Sequence, residues 1–335
     1  MECRDLPLLG LADLDRGEDA RKAFGAALRT ATHEVGFFHL RHGIPRDVIS
    51  KLFTVARRFF DLSEAEKAEI AMIKSPWFRG YTRVGGELTQ GVVDWREQID
   101  VQTEREPSRV RDPAYLRLEG PNQWPASLPA LRPELESWIE RLTAIGRRLV
   151  SEWAVALGAE ADHFESSFQR PSILLKLVRY PGTDSSEQGV GSHKDPGILT
   201  LLLVEPGVAG LQVERGGTWV DVPPVDDAFV VNIGELMEVA TDGYLMATKH
   251  RVTAPPPGAE RLSIPFFFNP SLDAEVPAIE LPPELAAEAR GVTQDAQNVI
   301  GSRYGENLLK ARLRAHPDVA AAHHPDLVDT DPPHP

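Results

Sequence analysis

The chain has little of what stapled or cluster-binding domains are built from. Cys3 is its only cysteine, which excludes an intramolecular disulfide and any cysteine-rich zinc site. No block of lysine and arginine appears, and the formal net charge is −14. That balance argues against a nucleic-acid partner, because phosphate binding needs concentrated positive charge. No apolar run approaches the length of a membrane span, so no membrane association is expected. The start, Met-Glu-Cys-Arg-Asp, lacks the basic-then-apolar pattern of a secretory leader, and a cytoplasmic location is the expectation. There is no internal repeat.

What the chain does have is ample apolar material, 42% of 335 residues, enough for a sizeable core in one compact unit. Helical spacing runs from Ala20 to His33, a strand follows over Gly36–Leu40, and Pro45 opens a second helix ending near Phe60. Ser63-Glu64-Ala65-Glu66 has the form of a capping box for a third. His39 and His42 sit on the strand and its turn, a frame that favours structural histidines over a metal site. Residues 74–102 are rich in glycine and aromatics and read as a loop, then a strand, placed to line or cover a site. The proline-rich stretch 107–133 is a connector. The longest helix spans Glu134–Leu157, stopped by Gly158.

From Ser172 the pattern changes to short strands divided by turn signals: 173–180, 197–204, 210–214, 218–222, 228–233, 250–254 and 261–268. That density indicates an all-β sandwich or barrel, and a jelly roll suits it because two sheets enclose a lined interior. The expected fold is therefore mainly β with flanking helices. It divides into an N-terminal mixed α/β region (1–170), a jelly-roll core (171–272) and a C-terminal tail (273–335). The tail is expected to be helical from Leu281 to about Ala315 and loosely ordered past His316.

One stretch carries the chemistry. In Gly191-Ser192-His193-Lys194-Asp195-Pro196-Gly197, His193 and Asp195 are two residues apart, so on extended chain both leave the same face. With a second histidine they form a two-histidine, one-carboxylate set, which leaves open positions on a non-haem Fe(II) for a 2-oxo acid and dioxygen. His250, preceding another strand, is the candidate. Arg261 and Ser263 share one face of the strand after it. A guanidinium inside a barrel is costly unless it meets an anion, and its fork matches a carboxylate. Tyr180, ending an earlier strand, is placed to supply a third donor.

Arg179-Tyr180-Pro181, His193-Lys194-Asp195, Val231-Asn232-Ile233-Gly234, His250-Arg251-Val252 and Arg261-Leu262-Ser263-Ile264-Pro265 together resemble the isopenicillin N synthase-like family of iron- and 2-oxoglutarate-dependent oxygenases. Gly36–Leu40 and His42-Gly43-Ile44 extend the resemblance over nearly the whole chain to about Ala315. It implies a double-stranded β-helix (jelly-roll) core, and iron held by His193, Asp195 and His250. It also implies 2-oxoglutarate held by Arg261 and Ser263 with Tyr180 nearby. The implied reaction couples oxidative decarboxylation of 2-oxoglutarate by dioxygen to hydroxylation, desaturation or cyclisation of a small molecule. Isopenicillin N synthase itself uses no 2-oxoglutarate and holds its substrate carboxylate with the same Arg-x-Ser, so that motif leaves the co-substrate open. Its C-terminal glutamine ligand has no counterpart after Gln297, which favours 2-oxoglutarate. A jelly-roll module that binds a ligand without catalysis is the alternative from another class, and three intact ligands argue against it. Asp195 argues against halogenation.

For the primary substrate, alternation along 173–180 puts Lys176 on the same face as Tyr180. An inward ammonium needs a partner, which suggests an anionic substrate. Phe267 and Arg79 complete the expected substrate contacts. The sequence leaves the oligomeric state open.

Overall fold

The structure, a computed structural model, describes residues 6–185, 188–294 and 298–328. Cys3 and Gln297 lie outside the described residues. The chain begins with β1 (Leu8–Gly10), α1 (Glu18–Glu34), β2 (Phe37–Arg41), α2 (Arg46–Phe60) and α3 (Glu64–Glu69). The capping box at α3 forms as the sequence suggests: the Glu66 amide donates to Ser63 Oγ, and the Ser63 amide donates to Glu66 Oε2 at 2.9 Å. Next come β3 (Gly80–Thr82), a short hairpin of β4 (Leu88–Thr89) and β5 (Val92–Val93), β6 (Glu97–Gln102) and α4 (Leu131–Ala156). α4 starts three residues before the expected Glu134. Pro133 falls in its first turn, where a missing N–H costs no intrahelical bond.

The remaining strands are β7 (Ser172–Pro181), β8 (Gln188–His193), β9 (Leu199–Val204), β10 (Leu211–Arg215), β11 (Thr218–Asp221), β12 (Ala228–Ile233), β13 (His250–Thr253) and β14 (Glu260–Asn269). Helix α5 (Glu235–Ala240) follows β12, and α6 (Pro283–Ala286), α7 (Tyr304–Ala315) and α8 (Pro317–His323) complete the chain. One sheet has the order β1-β2-β12-β9-β14-β7-β6-β3, and the other β11-β10-β13-β8. They form the double-stranded β-helix. β1, β2, β3 and β6, from the N-terminal part of the chain, are hydrogen-bonded into the larger sheet.

Alternation along each strand sorts side chains between two environments. On β14, Leu262, Ile264, Phe266 and Phe268 enter the main core beneath the helices, each at 1% exposure or less. Burying side chains of this size contributes roughly 1.5–3 kcal/mol apiece. Their neighbours Arg261, Ser263, Pro265, Phe267 and Asn269 face the opposite way, into a cavity between the sheets. β7 divides likewise: Ile173, Leu175 and Leu177 join the core, while Leu174, Lys176 and Tyr180 face the cavity.

Three expectations need correction. A strand, β8, ends at His193 where none was expected, so the metal motif lies between two strands, β8 and the expected β9; Gly189 and Gly191 give this stretch the look of a turn. The tail is not one helix from Leu281, because α6 is a single turn and α7 begins only at Tyr304. Past His316 the chain forms α8, started by Pro317 at its first position and seated through the buried Val319 and Ala320. Among the described residues no helix is long and apolar enough to cross a membrane.

α4 lies close against β14 because Gly146 has no side chain. A Cβ there would meet the Phe268 ring at 2.7 Å. Gly146→Val should therefore lower stability by about 1–3 kcal/mol through overpacking. A urea midpoint equal to wild type would show that the helix can move aside.

Candidate active site

Antiparallel pairing sets His250 on β13 directly opposite His193 at the end of β8. The two rings lie with centroids 4.3 Å apart. Asp195, two residues past His193, brings Oδ1 within 3.6 Å of His193 Nε2 and 3.7 Å of His250 Nε2. One ligand atom from each residue lies within 4.8 Å of the others, so the His-Asp-His facial triad is present. Each ring is set by its other nitrogen. His193 Nδ1 bonds the Gly191 carbonyl at 2.8 Å, and His250 Nδ1 bonds the Thr248 carbonyl at 3.1 Å. A carbonyl only accepts, so both Nδ1 atoms carry the proton and both Nε2 lone pairs point to the shared centre. Phe37 packs edge-on against His250.

The carboxylate is fixed from its far side. Thr200 Oγ1 and Asn232 Nδ2 donate to Asp195 Oδ2 at 2.6 and 2.7 Å, leaving Oδ1 toward the imidazoles. Burial alone would raise Asp195, but His250, His193 and these two donors hold it below its usual value. His193 is pushed down to about 4, first by burial and then by His250, so its ring is neutral and able to bind a metal at neutral pH. The turn sits on the start of α5, whose Glu235 amide donates to the Asp195 carbonyl at 2.8 Å. That approach needs Gly234, where a Cβ would lie 2.2 Å from the Gly197 carbonyl oxygen.

Arg261 lies in the same cavity, opposite Tyr180 across the β14–β7 ladder. It is 2% exposed, its Nε and Nη1 have no hydrogen-bond partner among the described residues, and its guanidinium stacks over the Tyr180 ring at 4.9 Å. Ser263 follows on the same face. A buried guanidinium without an anion is costly, and burial pulls its proton affinity down. The arrangement fits a carboxylate co-substrate beside a metal.

The substrate contacts expected from the sequence fare differently. Phe267 faces the cavity. Lys176 faces it too, but its Nζ lies 3.0 Å from Glu87 Oε1 and 3.4 Å from Asp100 Oδ2. The ammonium already has its partners, and the case for an anionic substrate falls. Arg79 is turned away and buried, its guanidinium donating to the Thr103 and Leu118 carbonyls.

Sequence reasoning missed the wall around Lys176. Arg96 bonds Glu87 at 2.8 Å and Asp94 at 3.1 Å, and Arg312 on α7 bonds Asp100 at 2.7 Å. Burial would raise Glu87, yet Arg96 and Lys176 hold it well below the usual range. Also missed was a knot beside the triad. Lys194 Nζ donates to Glu238 Oε2 at 2.8 Å and to Thr293 Oγ1 at 2.7 Å, and Glu238 Oε1 accepts from the Thr293 amide and hydroxyl. α7 closes the far wall through Tyr304, Asn307, Leu308 and Arg312, giving a cavity of about 1300 Å³. Glu235, 6% exposed, also borders it, and burial pushes its carboxyl up to about 7.

Two imidazoles that turn Nε2 to a shared centre, an anchored carboxylate and an uncompensated guanidinium inside a jelly roll define a non-haem iron oxygenase. Residues 172–270 match the family model described as 2OG-Fe(II) oxygenase superfamily, and residues 6–127 match that of the non-haem dioxygenase in morphine synthesis N-terminal region. The chain is 37% identical to the 2-oxoglutarate-dependent dioxygenase frbJ of Dothideomycetidae sp. (strain 11243), over 95% of this chain and 92% of that protein. It is 32% identical to homoarginine-6-hydroxylase 2-ODD-C23.1 of Arabidopsis thaliana, over 90% of this chain and 92% of that one. In fold it resembles a full-length Neurospora crassa protein solved in complex with alpha-KG and thymine (TM-score 0.76, 24% identity, 96% of this chain and 98% of that one). The chain belongs to the 2OG-Fe(II) oxygenase superfamily and is an Fe(II)- and 2-oxoglutarate-dependent dioxygenase. Bound iron would supply dioxygen activation; the protein supplies the position of the groups around it.

Two outcomes follow from the site. Asn232→Ala removes a donor that orients Asp195 and should weaken Fe(II) binding about 10- to 100-fold, the usual loss for such a partner. An unchanged affinity in an anaerobic titration would show that Thr200 alone suffices. Lys176→Met leaves Glu87 and Asp100 without their shared cation and should cost about 3–5 kcal/mol of stability. A variant as stable as wild type to urea would show that Arg96 and Arg312 neutralise the wall without it.

Proposed function

We propose that this dioxygenase hydroxylates a small cationic amino acid of the homoarginine type. His193, Asp195 and His250 hold the iron, and Arg261, Ser263 and Tyr180 receive the far carboxylate of 2-oxoglutarate. The buried Arg261 guanidinium, without a carboxylate partner in the cavity of the triad, carries the co-substrate assignment. The reaction takes substrate C–H, dioxygen and 2-oxoglutarate to the alcohol, succinate and carbon dioxide. Phe267, on the face shared with Arg261 and Ser263, packs the aliphatic part of the substrate.

The substrate class is supported by the likeness to homoarginine-6-hydroxylase and by an acidic side chain, Glu235, at the cavity edge. With Lys176 already paired, no lysine on that wall remains to favour an anion.

Succinate release should require both Fe(II) and 2-oxoglutarate and should rise when homoarginine is added, with a product heavier by one oxygen. No hydroxylated product from homoarginine, arginine or lysine would remove the substrate assignment. Arg261→Lys keeps the charge but loses the fork. It should raise the KM for 2-oxoglutarate about 10- to 100-fold, the scale of hydrogen bonds to charged groups, with Fe(II) affinity little changed. An unchanged KM would move Arg261 to another role.

A further inference from the structure

Glu235 is the first residue of α5 and is 94% buried, being 6% exposed. It borders the cavity, yet its carboxylate makes no hydrogen bond or ion pair to any described residue, unlike Glu87 or Glu238. The cations close enough to influence it are Lys194 and Lys310. Both are committed elsewhere: Lys194 to Glu238 and Thr293, and Lys310 to the Val299 carbonyl. An acid at a helix start ordinarily serves the helix dipole. α5 is only six residues long, so its dipole is small. The carboxyl lines the open cavity and burial raises it toward neutrality, so a cation entering the cavity would meet an acid with no partner of its own and would favour its charged form.

We propose that Glu235 is the specificity residue for the primary substrate, pairing with its guanidinium or ammonium group. This rests on the cationic-substrate reading above and assigns the residue that enforces it. The Glu235 amide is bonded to the Asp195 carbonyl, which fixes the residue's backbone against the metal turn.

The test compares homoarginine with homocitrulline, its neutral ureido counterpart, on protein loaded with Mn(II) and 2-oxoglutarate, by calorimetry. Wild type should bind homoarginine at least about tenfold more tightly, in keeping with a charge-assisted pair. Glu235→Gln should erase that preference, and Glu235→Asp should retain part of it, with thermal unfolding confirming that each variant is folded. Equal binding of the two ligands by wild type, or a preference that survives in Glu235→Gln, overturns the proposal. A preference that depends on Glu235 without hydroxylation of homoarginine upholds the cation site and instead sinks the substrate named under Proposed function.

Discussion

Everything in this molecule depends on the two-residue alternation of strands buried on both faces. A strand such as β14 cannot choose between core and cavity; it serves both at once. Leu262, Ile264, Phe266 and Phe268 fix its height and register against α4, and that same register aims Arg261, Ser263 and Phe267 inward. A slip of one residue would exchange the two sets, burying a guanidinium among helices and exposing phenylalanine to the cavity. Packing energy on one side therefore guarantees functional geometry on the other. The antiparallel pairing of β13 with β8 does the same for the histidines.

The cavity's charge is handled in two ways. Around Lys176, three carboxylates (Glu87, Asp94, Asp100) face three cations (Arg96, Lys176, Arg312) in short contacts. Buried pairs of this kind repay their desolvation only when geometry is good and the remaining lone pairs are satisfied. Here they tie β6, β7, the β4 loop and α7 into one wall. Arg261 stands apart from that network, its Nε and Nη1 without a partner among the described residues, and Glu235 lines the cavity outside it. A site that binds charged molecules needs some groups already neutralised and others left waiting.

How far these features could be read from the sequence follows from the range of the interactions involved. His193, Asp195, His250, Arg261 and Ser263 were legible because local spacing and strand alternation fix their directions. Alternation also turned Lys176 inward correctly. Its pairing was not legible, since Glu87 lies 89 residues away in a loop without a strong pattern. β8 was hidden because its glycines carry no side chain to show periodicity, and its pairing comes from β13. Arg79 looked available only because nothing local revealed the carbonyls of Thr103 and Leu118. Glu235 left no mark in the sequence beyond an acid after Gly234. The long helical tail was over-read, as its apolar residues serve two separated helices and an irregular crossing.

The wall supplied by α7 has a consequence for biosynthesis. The metal donors are all present once His250 has been made, and the guanidinium for the co-substrate eleven residues later. The substrate-facing surface must wait for Tyr304–Ala315, more than forty residues further along. On an elongating chain the reactive centre is thus specified before the surface that shields it.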